Sequence, residues 1–227
     1  MKLYIVATPI GNLEDISLRV LRILKEVDCI LCEDTRQTRK LLFHYKITTP
    51  TISYHQHSKI KKIDAIFELI RKERNLALVS DAGVPGISDP GNKLVSLLIK
   101  EFENLEIIPL PGPSAVTTAL SVSGFPTDKF IFLGFCPQKK GRKKFFQEIA
   151  EAKYSAVFFE SPYRVLRTLT ELNNLSKLKS RQIFIGRELT KKFETIYRGS
   201  IGQVLNKLKK DKIKGEFTII ISPEKYG

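Results

Sequence analysis

The segment LALVSDAGVPGISDPGNKLVSLLIKEF, residues 76–102, decides the fold class of this chain. Its first part, LALVSD (76–81), predicts a buried strand, and its last part, GNKLVSLLIKEF (91–102), predicts a helix. The stretch LVSDAGVPGISDPG (78–91), which contains the connection between them, holds three glycines, two prolines and two aspartates. A buried strand that leads through a loop into a helix is typical of α/β proteins with a largely parallel sheet.

The same alternation extends to both sides of this segment in the first half of the chain. A helix is expected after GNLED, with Asp15 as its N-cap, and another over 59–74. Further strands are predicted at 3–9, 27–32, 47–54 and 105–111. Strands separated by amphipathic helices favour a sheet that is covered on both faces.

The second half of the chain has shorter and more aromatic strand candidates than the first. Gly124-Phe125-Pro126 is the clearest boundary signal within the segment 113–126 that joins the two halves. A helix over 113–123 precedes this boundary, with Pro113 expected at the first helical position. Beyond it, short aromatic strands KFIFLGF, SAVFFES, QIFIGREL, ETIYRGS and GEFTIIIS alternate with helices near 141–153, 162–173 and 200–210. We therefore predict two α/β subdomains, 1–113 and 114–227.

Composition and charge narrow the class of protein further. The 227 residues are 42% hydrophobic and 27% charged, which excludes a wholly disordered chain. The absence of a long apolar run or leader, together with only three cysteines, predicts a soluble cytoplasmic protein. The net charge of +14 is unevenly distributed, since residues 1–115 carry +2 and residues 116–227 carry +12. This surplus suits a polyanion such as nucleic acid, although an acidic membrane or simple solubility would also account for it.

The loop LVSDAGVPGISDPG (78–91) is the first candidate binding site, because ligands of open α/β sheets bind beyond the carboxyl ends of the strands. Its glycines form neither a dinucleotide fingerprint nor a P-loop. Asp81 and Asp89 would repel phosphate but suit hydroxyl or ammonium groups. The alternative is a structural loop whose aspartates cap the next helix. The turns ATPIGN (7–12) and LPGPSA (110–115) follow neighbouring strands, and all three turns are expected to outline one pocket.

Metal and redox chemistry are weakly supported. Cys29 and Cys32 match C-x-x-C, but positions three apart on a strand face opposite sides, which favours two buried cysteines. His55 and His57 share a strand face without an accompanying set of ligands, so zinc is not expected.

Two basic segments are candidates for nucleic-acid contacts. The segment EDTRQTRK (33–40) places Arg36 and Arg39 near a strand end, where they either contact phosphate or begin a solvated helix. The second segment follows a strand and gathers five cations without an acid, which favours contact with a nucleic-acid backbone over a solvated loop. These five cations are Lys139, Lys140, Arg142, Lys143 and Lys144.

Charged residues also follow two later strands, in ESPYR (160–164) and GRELTKKFE (186–194). They are candidates for lining a cleft, with surface salt bridges as the alternative. These residues are Glu160, Arg164, Arg187, Glu188 and Lys191.

Taken together, these motifs resemble one family. YIVATPIGNLEDIS, CEDTRQTRKLL, LVSDAGVPGISDPG, PLPGPSAVTTALSVSGFPTDKFIFLGF, FFESPYR and GRELTKKFETIYRG occur in the order typical of the ribosomal RNA small-subunit methyltransferase I family, within the tetrapyrrole-methylase superfamily. The resemblance spans residues 3–221. It implies two α/β subdomains with S-adenosylmethionine between them, commonly a homodimer, and methylation of a cytidine ribose 2′-oxygen in the decoding region of 16S ribosomal RNA.

The resemblance also implies site residues. The cofactor contacts it implies are Pro9, Asp81, Gly83, Val84, Asp89, Ser114 and Ala115. Where related methylases have the proline of G-D-P, this chain has Ala82, so the loop is expected to follow a different path. Glu188 and Lys191 are the predicted catalytic residues, because a ribose hydroxyl needs a proton acceptor; Glu160 is a third candidate.

Two other functions remain open at the level of sequence. A methyltransferase acting on a tetrapyrrole-like small molecule would share the architecture but has no need for a loop of five cations. A non-catalytic RNA-binding module would not need the loop from Asp81 to Gly91. Nucleotide hydrolysis and dehydrogenation are excluded by the lack of phosphate-binding motifs.

Overall fold

The computed structural model describes residues 1–54, 60–224 and 226, with Ile60 and Lys61 described by their backbone alone. The chain divides into an N-terminal unit, Met1–Ser114, and a C-terminal unit, Ala115–Gly227. Each unit has its own five-stranded sheet within the described residues. None of the helices in this part of the chain has the length and apolar character needed to cross a membrane.

The sheet of the N-terminal unit is entirely parallel, as predicted. Its strands are β1 (Lys2–Val6), β2 (Cys29–Cys32), β3 (Thr51–Ser53), β4 (Leu76–Val79) and β5 (Glu106–Leu110), in the spatial order β3-β2-β4-β1-β5. Its helices are α1 (Leu18–Glu26), α2 (Thr35–His44), α3 (Ile60–Arg71) and α4 (Gly91–Glu101). Helices between parallel strands supply the crossover connections that such a sheet requires.

Both faces of this sheet are covered by helices, which explains why its central strands are apolar throughout. Cys32 packs in the cluster that contains Leu24 of α1, whereas Cys29 packs in the cluster that contains Leu94 of α4. The two cysteines are buried and unbonded to each other. The expectation that they face opposite sides of the strand is therefore confirmed.

Two predicted helix starts were wrong. Ser17, not Asp15, is the N-cap of α1, and its side chain accepts a hydrogen bond from the N–H of Val20. Asp15 instead belongs to a short 3₁₀ turn, Leu13–Asp15, which is capped by Asn12. The helix α5 begins at Ala115, two residues after Pro113. The fixed φ of proline suits an extended approach as well as a helix, so proline alone does not set the first helical residue.

The C-terminal unit contains a mixed sheet. Its strands are β6 (Phe130–Phe135), β7 (Ser155–Glu160), β8 (Gln182–Arg187), β9 (Thr195–Ser200) and β10 (Phe217–Ile221), in the spatial order β6-β7-β10-β8-β9. Its helices are α5 (Ala115–Ser123), α6 (Arg142–Glu151), α7 (Val165–Asn173) and α8 (Ile201–Leu208).

Strand direction in this sheet determines which loops lie together. β6 and β7 are parallel, and β10 is antiparallel to both β7 and β8. The strands β6, β7 and β8 therefore run in the same direction. As a result, the loops that follow these three strands emerge at one edge, which we call the carboxyl edge of the C-terminal sheet.

Candidate functional site

The turns after β1, β4 and β5 meet at the carboxyl edge of the N-terminal sheet, as the sequence predicts. The N–H of Thr8 donates to the carbonyl of Gly83 (2.9 Å), and the N–H of Gly83 donates to the carbonyl of Thr8 (3.0 Å). Gly112 lies so close to Ala7 that a Cβ at Gly112 would be 2.9 Å from the Ala7 Cβ. A side chain at position 112 is thus excluded, because the turns after β1 and β5 pack closely against each other here.

A cavity of about 240 Å³ opens at this edge. The turns after β1 and β4 and the first part of α2 supply its walls. None of the described residues of the turn after β5 lines it, so the prediction that three turns outline one pocket is confirmed for the first two only. Its lining residues are Thr8, Pro9, Leu13, Gln37, Thr38, Lys40, Leu41, Ser80 and Asp81. The structure therefore brings together Pro9 and Asp81, two of the residues predicted to contact the cofactor.

Asp81 is exposed and joins the loops that follow β2 and β4. Its Oδ1 accepts a hydrogen bond from the backbone N–H of Asp34 (3.1 Å). An exposed carboxylate at the carboxyl edge can accept hydrogen bonds from hydroxyl or ammonium groups of a ligand.

Asp89 has a structural role that the sequence left as an alternative. Its Oδ1 accepts hydrogen bonds from the N–H groups of Gly86 and Gly91, both at 2.7 Å. This oxygen therefore holds the glycine-rich loop against the start of α4. Its Oδ2 is buried and has no hydrogen-bond partner among the described residues, and the predicted contact of Asp89 with the cofactor stays a prediction.

Gly83 contributes shape to the site, and its predicted contact with the cofactor stays a prediction. Its N–H is already bound to Thr8, and its φ of +83° lies in the left-handed region. Val84 is half-buried in the same loop, and Ser114 and Ala115 follow β5. The cofactor contacts assigned to Val84, Ser114 and Ala115 stay predictions.

Glu33 is a candidate functional residue that the sequence analysis missed. It directly follows β2, and burial together with the negative charges of Asp89 and Asp81 raises the pKa of Glu33 to about 7. The three carboxyl groups therefore share one electrostatic environment at the carboxyl edge. The sequence signal for Glu33 is its position immediately after a buried strand. The nearby Arg36 and Arg39 instead indicate a phosphate contact, which does not involve a carboxylate.

The raised pKa of Glu33 predicts a pH-dependent contribution to stability. An unfolded glutamate titrates near pH 4.5 and the folded Glu33 near pH 7, so the folded state binds the extra proton in this window and stability falls as pH rises through it. Because Glu33 is partly exposed, solvent screening reduces the free-energy cost of ionising its carboxyl group. We expect Glu33→Gln to be more stable than wild type by about 1–2 kcal/mol near pH 8, with little difference near pH 4.5. Urea unfolding at both pH values measures this; a pH-independent difference would contradict it.

The arginines of α2 lie on the surface. Arg36 pairs with Asp34, with Nη2 to Oδ2 at 2.8 Å. Hydrogen bonds from Arg36 lower the pKa of Asp34 to about 2. Arg39 is exposed on the same helix. RNA contacts by Arg36 and Arg39 stay predictions, and Asp34 offsets the charge of Arg36.

The cations of the basic segment in the C-terminal unit divide into two groups. Four of them are exposed at the end of the loop and the start of α6: Lys139, Lys140, Lys143 and Lys144. Arg142 is 6% exposed, so the prediction that it contacts RNA is wrong. Its guanidinium donates to Glu171 Oε2, to the carbonyl of Pro137 and to Thr168 Oγ1, each at 2.7 Å. These hydrogen bonds of the buried guanidinium fix the conformation of the loop between β6 and α6.

Glu160 belongs to the same buried network and is not a proton acceptor for a substrate. Its Oε1 accepts from the N–H of Ser161 and from Nε and Nη2 of Arg164, at 2.7–2.9 Å. Its Oε2 accepts from Thr168 Oγ1 and lies 3.9 Å from Arg142 Nη1. Glu160 therefore ties the loop after β6 to the loop after β7.

Glu188 and Lys191, the predicted catalytic pair, hold the turn after β8. Lys191 Nζ contacts Glu188 Oε1 and Glu216 Oε2, both at 3.0 Å. Burial acts to lower the pKa of Lys191, but the hydrogen bonds to the two glutamates outweigh it and raise the pKa. Lys191 is thus protonated at neutral pH, and its predicted role as a proton acceptor is wrong.

Glu188 stays a prediction as a proton acceptor. Burial acts to raise its pKa, but the hydrogen bonds from the N–H of Glu216 and from Lys191 outweigh it and lower the pKa. The carboxylate is ionised at neutral pH, as a proton acceptor must be, and these two donors make it a weak base.

Within residues 1–54, 60–224 and 226, no cluster of three or more histidine, cysteine or acidic residues could hold a metal ion. Burial raises the pKa of the Cys29 thiol to about 11, so the thiolate that binds metals is disfavoured. His55 and His57 lie outside the described residues.

Comparison with known proteins places the chain in a family. Residues 2–205 match the family of tetrapyrrole (corrin/porphyrin) methylases. The ribosomal RNA small subunit methyltransferase I of Thermotoga maritima is 45% identical over 97% of this chain and 98% of that protein. The protein of the same name from a Hydrogenobaculum species is 47% identical over 99% of this chain and 96% of that protein.

The fold is shared with solved structures of much lower sequence identity. The uroporphyrin-III C-methyltransferase of Thermus thermophilus, solved in complex with S-adenosyl homocysteine, superposes with a TM-score of 0.66. The two are 16% identical, and the match covers 99% of this chain and 98% of that one. The match of the family over nearly the whole chain and the close relatives agree with the motifs of the sequence. This protein belongs to the tetrapyrrole methylase family, within the group of ribosomal RNA small subunit methyltransferase I proteins.

Proposed function

We propose that the protein is an S-adenosylmethionine-dependent methyltransferase that modifies the ribose 2′-oxygen of a cytidine in the decoding region of 16S ribosomal RNA. The observation that carries this proposal is the 45–47% identity to ribosomal RNA small subunit methyltransferase I proteins over 97–99% of the chain. The positively charged residues of the C-terminal unit support a nucleic-acid substrate.

The carboxyl edge of the N-terminal sheet fits this cofactor. S-adenosylmethionine carries an ammonium group and ribose hydroxyls, which are hydrogen-bond donors, and it carries no phosphate. The exposed carboxylate of Asp81 is an acceptor for such groups. A structure of a related methyltransferase contains the demethylated form of this cofactor. The residues that we expect to hold it are those that the sequence predicts: Pro9, Asp81, Gly83, Val84, Asp89, Ser114 and Ala115.

When bound, the cofactor supplies a methyl group on a sulfonium, which takes the electrons of the breaking C–S bond. The chain must hold the acceptor oxygen in line with that bond, at about 3–3.5 Å from the methyl carbon. It must also allow the hydroxyl proton to leave, so that a neutral ether is formed. Glu188, or water in contact with it, is our candidate for receiving this proton.

The four exposed lysines of the basic segment are proposed to contact RNA phosphates. Replacing Lys139, Lys140, Lys143 and Lys144 together with alanine should weaken RNA binding and reduce the slope of log K against log [salt] by up to about 3, at ~0.7 for each phosphate contact on a single strand. Arg142 is left unchanged because it is buried. Fluorescence anisotropy over a salt series measures the slope.

A matched control removes the same charge elsewhere. Lys25, Lys72, Lys93 and Lys100 are exposed residues of the N-terminal unit, and replacing these four with alanine should leave the slope nearly unchanged. Equal slopes for the two variants would show that the basic segment has no special role. Cofactor affinity should be the same in both.

The proposed reaction is tested by incubating the full chain with radiolabelled S-adenosylmethionine and unmodified small ribosomal subunits. Digestion to nucleosides then identifies the labelled atom. We expect label on the 2′-oxygen of a cytidine. Label on a base would contradict the predicted acceptor atom, and label on a tetrapyrrole but not on RNA would contradict the substrate class.

A further inference from the structure

The three loops at the carboxyl edge of the C-terminal sheet each carry an exposed aromatic residue. Phe135 ends β6 and is 59% exposed, Tyr163 follows β7 and is 96% exposed, and Phe193 follows β8 and is 66% exposed. Because β6, β7 and β8 run in the same direction, these rings lie at one edge although 58 positions of sequence separate the first from the last. Large aromatic side chains left in water at one edge of a sheet indicate an interaction surface.

The backbone holds Phe135 in its exposed position. Pairing between β6 and β7 shifts register between Phe132 and Phe135, and Gly134 in this bulge has a φ of +66°. The Phe135 ring packs edge-on against Phe159, with centroids 5.2 Å apart. A bulge that redirects a side chain at the end of a strand is typical of binding sites.

Tyr163 and Phe193 also lie on loops that are tied down. The loop of Tyr163 is anchored by Glu160, which binds the N–H of Ser161 and the guanidinium of Arg164. The turn before Phe193 contains two non-glycine residues in the left-handed region, Glu188 and Thr190. Such strain persists only where the surrounding structure enforces it, and it clusters at functional sites.

Cations accompany these rings. The Nζ of Lys192 lies 5.7 Å from the centroid of the Phe193 ring. The loop after β6 and the start of α6 carry four exposed lysines, and the buried Arg142–Glu160 pair links this segment to the loop of Tyr163. Aromatic faces next to cations match a partner that offers flat bases and phosphates together, which is an unpaired nucleic-acid strand. A second copy of this chain would instead bring like charges together, at a cost.

We propose that Phe135, Tyr163 and Phe193 form a stacking surface for unpaired nucleotides, with the neighbouring lysines on the phosphates. In an RNA duplex the bases are stacked on each other and their faces are unavailable, so this surface selects single-stranded segments. The inference rests on the proposed function for the identity of the RNA and specifies the form in which the RNA is held.

The test compares Tyr163→Ala with Tyr163→Phe in the full chain. The probes are a fluorescein-labelled single-stranded RNA and a duplex of the same sequence. Their affinities for the protein are measured by fluorescence anisotropy in the absence of cofactor. Loss of one stacked base should weaken single-strand binding by about 10-fold, within the range of ~1–3 kcal/mol for base–aromatic stacking. Duplex affinity should not change. Tyr163→Phe keeps the ring and should bind as wild type does.

Two further measurements make the result specific. The salt slope should be the same in Tyr163→Ala and wild type, because no charge is removed. Phe43→Ala removes an exposed aromatic residue of the N-terminal unit and should bind both probes normally. Unchanged single-strand affinity in Tyr163→Ala, or equal loss on both probes, would overturn the proposal.

Sedimentation of wild type and Tyr163→Ala tests the other occupant of this surface. Dissociation of a dimer in the variant, with RNA affinity retained, would assign the rings to contact between copies and overturn the proposal. A different result would show that the proposed reaction is wrong. Single-strand binding that depends on Tyr163, without methylation of small subunits, would refute the reaction and leave the stacking surface in place.

Discussion

Replacing Asp81 with alanine is expected to weaken S-adenosylmethionine binding by roughly 10- to 100-fold, since hydrogen bonds to a charged group contribute about 1.5–3 kcal/mol. Asp81 is the exposed carboxylate in the cavity at the carboxyl edge, beside Pro9. Removing it takes away the negative charge that a cationic, phosphate-free cofactor would meet. Titration calorimetry of the purified full chain measures the affinity.

Matched variants separate ligand contact from loop structure. Asp81→Asn keeps an oxygen for the N–H of Asp34 but loses the charge, so it should retain the loop and bind the cofactor less tightly than wild type. Asp28→Ala removes a carboxylate that binds the N–H of Asn75 at the opposite edge of the sheet, and its cofactor affinity should be normal. Wild-type affinity in Asp81→Ala would remove Asp81 from the site.

Replacing Glu160 with alanine should give the largest loss of stability, about 3–5 kcal/mol, because it leaves buried charge without its partner. The side chain of Glu160 is fully buried, and the side chains of Arg142 and Arg164 are only 7% and 22% exposed. Both guanidiniums would then face a cavity in place of a carboxylate. Urea unfolding followed by circular dichroism measures the change, since the chain has no tryptophan.

The control for Glu160 is a solvent-exposed ion pair between a glutamate and an arginine of the same protein. Glu26 pairs with Arg22 four positions earlier on α1, and both side chains are more than half exposed. Glu26→Ala should therefore cost no more than about 0.5 kcal/mol. Glu160→Gln keeps the volume and one acceptor, so its loss should lie between the two. A Glu160→Ala protein with the stability of wild type would show that the network does not stabilise this unit.

Most secondary structure of this protein could be predicted from local sequence. Apolar runs such as 76–79 and helical periodicity such as that of α1 depend on nearby residues alone. The opposite faces of Cys29 and Cys32 followed from the geometry of a strand. The family could be identified because the motifs after the strands occur along this chain in the order that is typical of the family.

The wrong predictions about charged residues share one physical origin, because the pattern of charges along a sequence does not reveal which of them become buried. Arg142 is one of five cations in six residues, and its sequence neighbours are solvated lysines. What buries it are Thr168 and Glu171 on α7, which come close only after folding. Similarly, the pKa of Glu33 depends on Asp81 and Asp89, about 50 positions away.

Local sequence patterns were enough to predict most strands and helices, the parallel N-terminal sheet and the family. Which charged groups face water, and which aromatic rings lie at the same edge, depends on how the chain folds in three dimensions. The insertion of β10 between β7 and β8, antiparallel to both, sets the common direction that brings Phe135, Tyr163 and Phe193 to one side. In this mixed sheet, strand order and direction arise from pairing between distant segments, which local propensity and periodicity do not specify.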